Sequence, residues 1–242
     1  MGRCMGGVCL LWALSGCEGA STGADGGAVE VQRTAVADQE PNNATTQPQS
    51  LGSFSTETHL RVTGRSTTGG YQGGNYTGDL DVFATGIQRP GWIVFEVNWV
   101  GDADVDLVAF RGSEAFLTDT TNAKPISVGR ALIAADFGFY VASATQPADW
   151  TLDFDYYPSQ VLLTGSYSGN TGGGTLSTYA FQANGRYDRT LSLSSGDIYS
   201  SGIYAVWGDE IIMTESDGSK VYGFRQVSAN TIEIGATTYR AY

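Results

Sequence analysis

Three groups of side chains in this chain are of types that do chemistry. Asp102, Asp104 and Asp106 recur at period two. An extended backbone puts such residues on one face at steps of about 7 Å. Carboxylates so placed repel one another unless solvent or a cation relieves them, and hard cations take oxygen ligands of this kind. The run lacks the glycine and distant glutamate of an EF-hand loop, so it reads as a strand start with one solvated face. His59 is the only histidine. A Ser-His-Asp hydrolase needs a base held by an acid beside an exposed nucleophile, and no Gly-x-Ser-x-Gly elbow accompanies His59. A zinc site needs several His or Cys ligands close together. His59 therefore reads as a residue on a strand surface, and the chain is expected not to be an enzyme. The third group is aromatic. Tyr71, Tyr76, Trp92, Trp99, Trp150, Tyr156 and Tyr157 form either a stacking face for a polysaccharide or other polymer, or core and cross-strand pairs.

Charge narrows the partners. Of the 242 residues, 13 are Lys or Arg and 25 are Asp or Glu, for a net charge of −12. Affinity for nucleic acid comes from clustered basic residues, so no nucleic-acid partner is expected. The 33 glycines, 13 tyrosines and 16% charged residues exclude a helical bundle.

The N-terminus reads as an address. Arg3 is followed by a mostly apolar stretch over residues 4–14, shorter than the roughly 20 residues that span a bilayer. A basic start, a short apolar region and small residues make a secretory signal. Leu14-Ser15-Gly16-Cys17 resembles the bacterial lipobox, which implies cleavage after residue 16 and a lipid anchor on Cys17. Cys4 and Cys9 would leave with the signal, so no intrachain disulfide is expected. The expected place is the cell envelope, with a membrane as partner through the anchor. Residues 17–49 are rich in small and polar residues and lack aromatics, which reads as a flexible tether.

Beyond the tether the hydrophobic period is two. Residues 79–84 alternate, residues 92–100 form an aromatic and β-branched run, and further runs follow to residue 157. Strands at this spacing predict an antiparallel sandwich or barrel over residues 50–157. Over residues 158–242, eight short runs are separated by turn chemistry such as Asn184-Gly185 and Asp217-Gly218-Ser219. They predict a small up-and-down meander or partly closed barrel. Tyr179, Phe181, Tyr187, Ile203, Tyr204, Trp207, Ile211 and Phe224 could fill it with side chains; left unfilled, it could hold a small apolar ligand.

Two further resemblances bear on function. Gln39-Glu40-Pro41-Asn42-Asn43, the turn Gly78-Asp79-Leu80-Asp81 with Phe83, the Asp104-Val105-Asp106-Leu107 run and Trp150-Thr151-Leu152 stand in that order. Together they resemble the bacterial pre-peptidase C-terminal domain, a jelly-roll-like β-sandwich, over residues 38–157. The resemblance implies calcium as a possible cofactor, with Glu40, Asn42, Asp79 and Asp81 as oxygen ligands. Side-chain capping of turns is the other reading of the same residues. Phe181-x-x-Asn184-Gly185-x-Tyr187 and Gly202-x-Tyr204-x-Val206-x-Gly208-Asp209 resemble small lipocalin-like bacterial β-domains. The expectation is an exported, lipid-anchored, all-β protein that binds a polysaccharide, a protein or a small apolar molecule without catalysis. Its alternatives are a carrier with a cavity in the C-terminal barrel and an enzyme acting on a glycan.

Overall fold

The structure is a computed structural model that describes residues 31–67, 69, 71, 72, 75–121 and 123–242. The expected signal and Cys17 lie outside the described residues. Residues 33–242 form one compact unit. Its first twelve strands are β1 (Thr34–Ala37), β2 (Gln49–Phe54), β3 (Thr58–Ser66), β4 (Tyr71–Gln72), β5 (Asn75–Tyr76), β6 (Leu80–Ile87), β7 (Gly91–Trp99), β8 (Val105–Arg111), β9 (Glu114–Asp119), β10 (Ile126–Leu132), β11 (Ala135–Ser143) and β12 (Ala148–Pro158). Ten of these make two five-stranded sheets: a first in the order β1-β3-β12-β7-β10 and a second in the order β2-β6-β11-β8-β9. The period-two pattern turns one face of each sheet inward. Phe83, Phe95, Phe139, Phe154 and Trp150 meet there with the aliphatic residues of both sheets. Phe95 lies edge-on to Phe139 at 5.0 Å and tilted to Phe154 at 5.3 Å.

The tether expectation changes at residue 33. Thr34–Ala37 pairs in parallel with β3, and Gln49–Phe54 pairs in parallel with β6. Residues 38–48 thus cross from one sheet to the other. The segment carries too little apolar surface to announce itself. It is held by ladder bonds, by Val36 packed on the core and by polar contacts. The Gln49 side chain, for example, accepts from the Gln39 N–H at 2.8 Å and donates to the Ala37 carbonyl at 3.0 Å.

The outer face of the first sheet carries opposite charges across β3 and β12. Their register sets His59 opposite Asp155, Arg61 opposite Asp153 and Arg65 opposite Asp149. Arg61 grips Asp153 with two bonds of 2.8 and 2.7 Å, and Arg33 reaches Asp155 at 2.8 Å. The exposed pair Arg65–Asp149 stabilises little by itself, the pairs on Asp153 and Asp155 are more sheltered, and all of them penalise a slipped register.

Residues 165–241 form eight strands in a closed antiparallel barrel: β13 (Gly165–Asn170), β14 (Leu176–Phe181), β15 (Arg186–Leu193), β16 (Gly196–Trp207), β17 (Glu210–Glu215), β18 (Gly218–Ser228), β19 (Thr231–Ile234) and β20 (Thr237–Ala241). The eight-strand expectation holds, and closure removes the free edges of an open meander. Tyrosines and phenylalanines fill the interior. Phe181 meets Tyr204 at 5.0 Å, and Tyr179 meets Tyr239 at 5.2 Å. The Tyr204 hydroxyl donates to the Leu163 carbonyl at 2.9 Å, and burial pushes this phenol up to about 12.

Ile203 and Trp207 do not join that interior. They point out of β16 and, with Ala205 and Ile212, pack on Trp92, Val94, Ala131 and Tyr157 of the sandwich. Ala131 N–H donates to the Thr214 hydroxyl at 3.0 Å, and Val206 N–H donates to the Ser159 hydroxyl at 2.9 Å. The sandwich and the barrel therefore share a buried, hydrogen-bonded seam. Tyr157 lies at its centre, 5.5 Å from Trp92 and 5.1 Å from Trp207. Tyr157→Ala is expected to cost about 3 kcal/mol, read as a fall of roughly 6–12 °C in the thermal midpoint. Val100→Ala, at a solvent-exposed position, is expected to leave the midpoint within about 1 °C.

Candidate metal centre

The crossing segment places the candidate site. Asp38, Glu40 and Asn42 fall at every second position along it, where the chain bends at residues 40 and 41. Beneath them runs β6, whose Val82 N–H donates to the Asn42 carbonyl at 3.1 Å. Asp81 on β6 is fully buried. One of its oxygens, Oδ2, accepts from Trp150 Nε1 at 2.9 Å and from the Ser66 hydroxyl. Trp150 reaches this position because β3 offers Gly64 opposite it. The indole lies where a side chain at residue 64 would begin.

Oδ1 of Asp81 accepts no hydrogen bond, and neither does Oδ1 of Asn42. Both residues are buried. A buried acceptor left unmade costs about 1–3 kcal/mol, and more when charged. Beside them stand Asp38 and Glu40. Among the described residues, carboxylate oxygens of Asp38, Glu40 and Asp81 come within 4.8 Å of one another. Asn42 is fixed by its Nδ2 donating to Asp38 at 2.7 Å and its backbone N–H donating to Glu40 at 3.1 Å. Burial, aided by the charges of Asp38 and Asp79, pushes Asp81 up to about 7. Burial also raises Asp38. Three carboxylates and an amide oxygen, two of these groups with bare buried acceptors, are a donor set for a hard cation such as calcium. They lack the nitrogen and sulfur ligands that select zinc.

Of the expected ligands, Glu40, Asn42 and Asp81 are brought together. Asp79 stands apart from that group. Its carboxylate caps the turn by accepting the Thr67 N–H at 2.9 Å, and it acts on Asp81 only as a nearby charge. Asp38 takes its place. The alternation of Asp38, Glu40 and Asn42 is the signal that would have found it.

The other candidates resolve differently. Asp106 is buried on β8, and burial with the charges of Asp104 and Asp119 pushes it up to about 6. It and Asp104 are not part of the close cluster. Both ring nitrogens of His59 face carboxylates at 2.9 Å, Asp155 on one side and Glu57 on the other, which leaves neither to activate a nucleophile. Among the described side chains the expected aromatic residues do not gather on one face. Trp99, Trp150 and Tyr156 lie in the sandwich core, Trp92 and Tyr157 in the seam with the barrel, and the Tyr76 hydroxyl donates to the Ser143 carbonyl. A cleft of about 350 Å³ on the first sheet holds Glu96, Asp149 and Asp153, but arginines take up the latter two.

No protein-family model matches this chain, and no curated protein does. Among solved structures, it is similar to the pre-peptidase C-terminal domain of a collagenase from Bacillus anthracis. The match has a TM-score of 0.32 and 11% identity, over 45% of this chain and 95% of that one.

The raised Asp81 has a measurable signature. Between about pH 4 and 7 the native state holds a proton that the unfolded chain has released. The cation-free protein therefore loses stability as pH rises through that window and levels off above it. Urea unfolding of wild type and Asp81→Asn in EDTA, at pH 5 and pH 7.5, is expected to show wild type losing about 2–4 kcal/mol relative to the variant. A difference that does not change with pH would show that Asp81 does not titrate there.

Proposed function

We propose that this chain is an exported, lipid-anchored protein of the bacterial cell envelope, that it acts by binding rather than catalysis, and that a calcium ion fastens its sandwich. The observation that carries the calcium reading is the pair of bare buried acceptors, Asp81 Oδ1 and Asn42 Oδ1, beside Asp38 and Glu40. A bound cation supplies the positive charge that Asp81 lacks. Asp38, Glu40, Asn42 and Asp81 would hold it and so tie the crossing segment to β6.

The burial of Asp81, beneath the half-buried Asp38 and the exposed Glu40, supports a structural role over a catalytic one. Asp81 has no exposure, and its other oxygen is committed to Trp150 and Ser66. A substrate has no path to it, whereas an ion that enters as the segment closes needs none. The filled barrel supports a binding platform over a carrier, because its rings occupy the space that cargo would need. The anchor rests on Leu14-Ser15-Gly16-Cys17 and the apolar stretch before it.

A thermal melt of the full chain tests the cation. Calcium at 100 times its dissociation constant adds about 2.7 kcal/mol to the native state. For a protein of this size that is a rise of roughly 5–10 °C over the melt in EDTA. Asp81→Asn and Asp38→Asn are expected to abolish the rise. Coincident melts of the wild-type protein with calcium and with EDTA would overturn the calcium reading. The anchor has its own test. Expressed in a bacterial host, the chain is expected to partition into detergent, and Cys17→Ser to move it to the aqueous phase.

A further inference from the structure

The outer face of the second sheet carries a groove of about 560 Å³, within the range of small-ligand sites. It crosses the strands from Pro48 and Ser50 on the β2 side to Phe110 on β8. Its floor is low because the register sets Gly138 opposite Ala84 and Asp136 opposite Gly86. Missing side chains let other groups converge over that floor. A Cβ at Gly138 would lie 2.5 Å from the Phe110 ring, which therefore folds down over the sheet. A Cβ at Gly86 would collide with the Asp136 carboxylate and lie 3.0 Å from the Ser53 hydroxyl. An aromatic ring thus stands one strand step from a carboxylate and a hydroxyl.

We propose that this groove is a binding site for a neutral oligosaccharide chain. The ring offers an apolar face to sugar C–H groups, and Asp136 and Ser53 offer acceptors to sugar hydroxyls. Charge selects within the polyhydroxyl class. Asp136 is the one charged residue among those that line the groove, and none is basic, in a chain of net charge −12. An anionic glycan would meet repulsion without a partner for its charge. A purely apolar ligand would strand the carboxylate and hydroxyls without water. The inference rests on the reading of the chain as a binding protein and gives that reading a ligand class.

The groove and the candidate metal centre share an element. The segment that carries Asp38, Glu40 and Asn42 continues into Thr45 and Pro48, which form one bank. Binding is therefore expected to weaken in EDTA, although the groove itself is defined by β6, β8 and β11.

The test is a glycan array of neutral and acidic oligosaccharides probed with the purified full chain in calcium. Binding confined to neutral glycans is expected, with affinity falling at least about tenfold in Asp136→Asn and in Ala84→Gln, which fills the floor. An unchanged melting temperature of Ala84→Gln would show that a loss reflects the groove and not the fold. An array with no neutral glycan bound, or binding that Ala84→Gln leaves intact, overturns the proposal. A silent array beside a calcium-dependent melt would remove the saccharide and leave the cation reading standing. Neutral-glycan binding without a calcium shift would do the reverse.

Discussion

A carboxylate with no access to water governs the edge of the sandwich. Asp81 stands where β6 passes under the crossing segment, with the indole of Trp150 and the hydroxyl of Ser66 on one oxygen and the Asp38 carboxylate beside it. Such a charge is tolerated only if it is neutralised. A proton can do this, and so can a cation shared with Asp38 and Glu40. Each solution reaches beyond the site. Trp150 is part of the sandwich core, Ser66 closes β3, and Asn42 sits between β6 and the segment above it. The order of the polar edge and the order of the apolar core are thus set by one group.

The second organising constraint is the division of the first sheet's outer face. Near Trp92 and Tyr157 it is apolar and lies under the barrel, while along β3 and the rest of β12 it is charged, half-buried around Asp155 and exposed towards Arg65 and Asp149. A sheet that alternates inward and outward normally leaves its outer face to solvent. Here β7 and β12 carry large outward-facing residues over part of their length, beside the small Ala131 of β10, and that asymmetry fixes where the barrel docks. The barrel answers with Ile203, Ala205 and Trp207, the outward residues of a strand whose inward Tyr204 and Val206 join its own interior.

What the sequence made legible follows from period and turn chemistry. The eight barrel strands were readable because each hairpin ends in residues that accept tight turns, and because alternation within each strand is regular. The sandwich strands were readable for the same reason. Strand β1 and the crossing segment were not, because residues 34–48 fold through backbone pairing and polar contacts, which composition does not report. Asp38 was missed because the resembled motif begins one residue after it. Trp92, Trp207 and Tyr157 were ambiguous because a large ring on an outward position looks alike whether it meets polymer, solvent or another domain. Only the partner surface decides, and that surface is far away in sequence.

The parallel pairing of β1 has a mechanical meaning. A pull applied at Arg33 is carried first by Arg33 on Asp155 and by the four ladder pairs with β3. A pull along the strand loads those pairs together, in shear, rather than opening them one at a time. The next element in the load path is the crossing segment itself, with Asp38, Glu40 and Asn42 against β6. With a cation held as proposed, those oxygens would act as a latch in series with the strand and set how much tension the N-terminal edge bears before the sandwich core is reached.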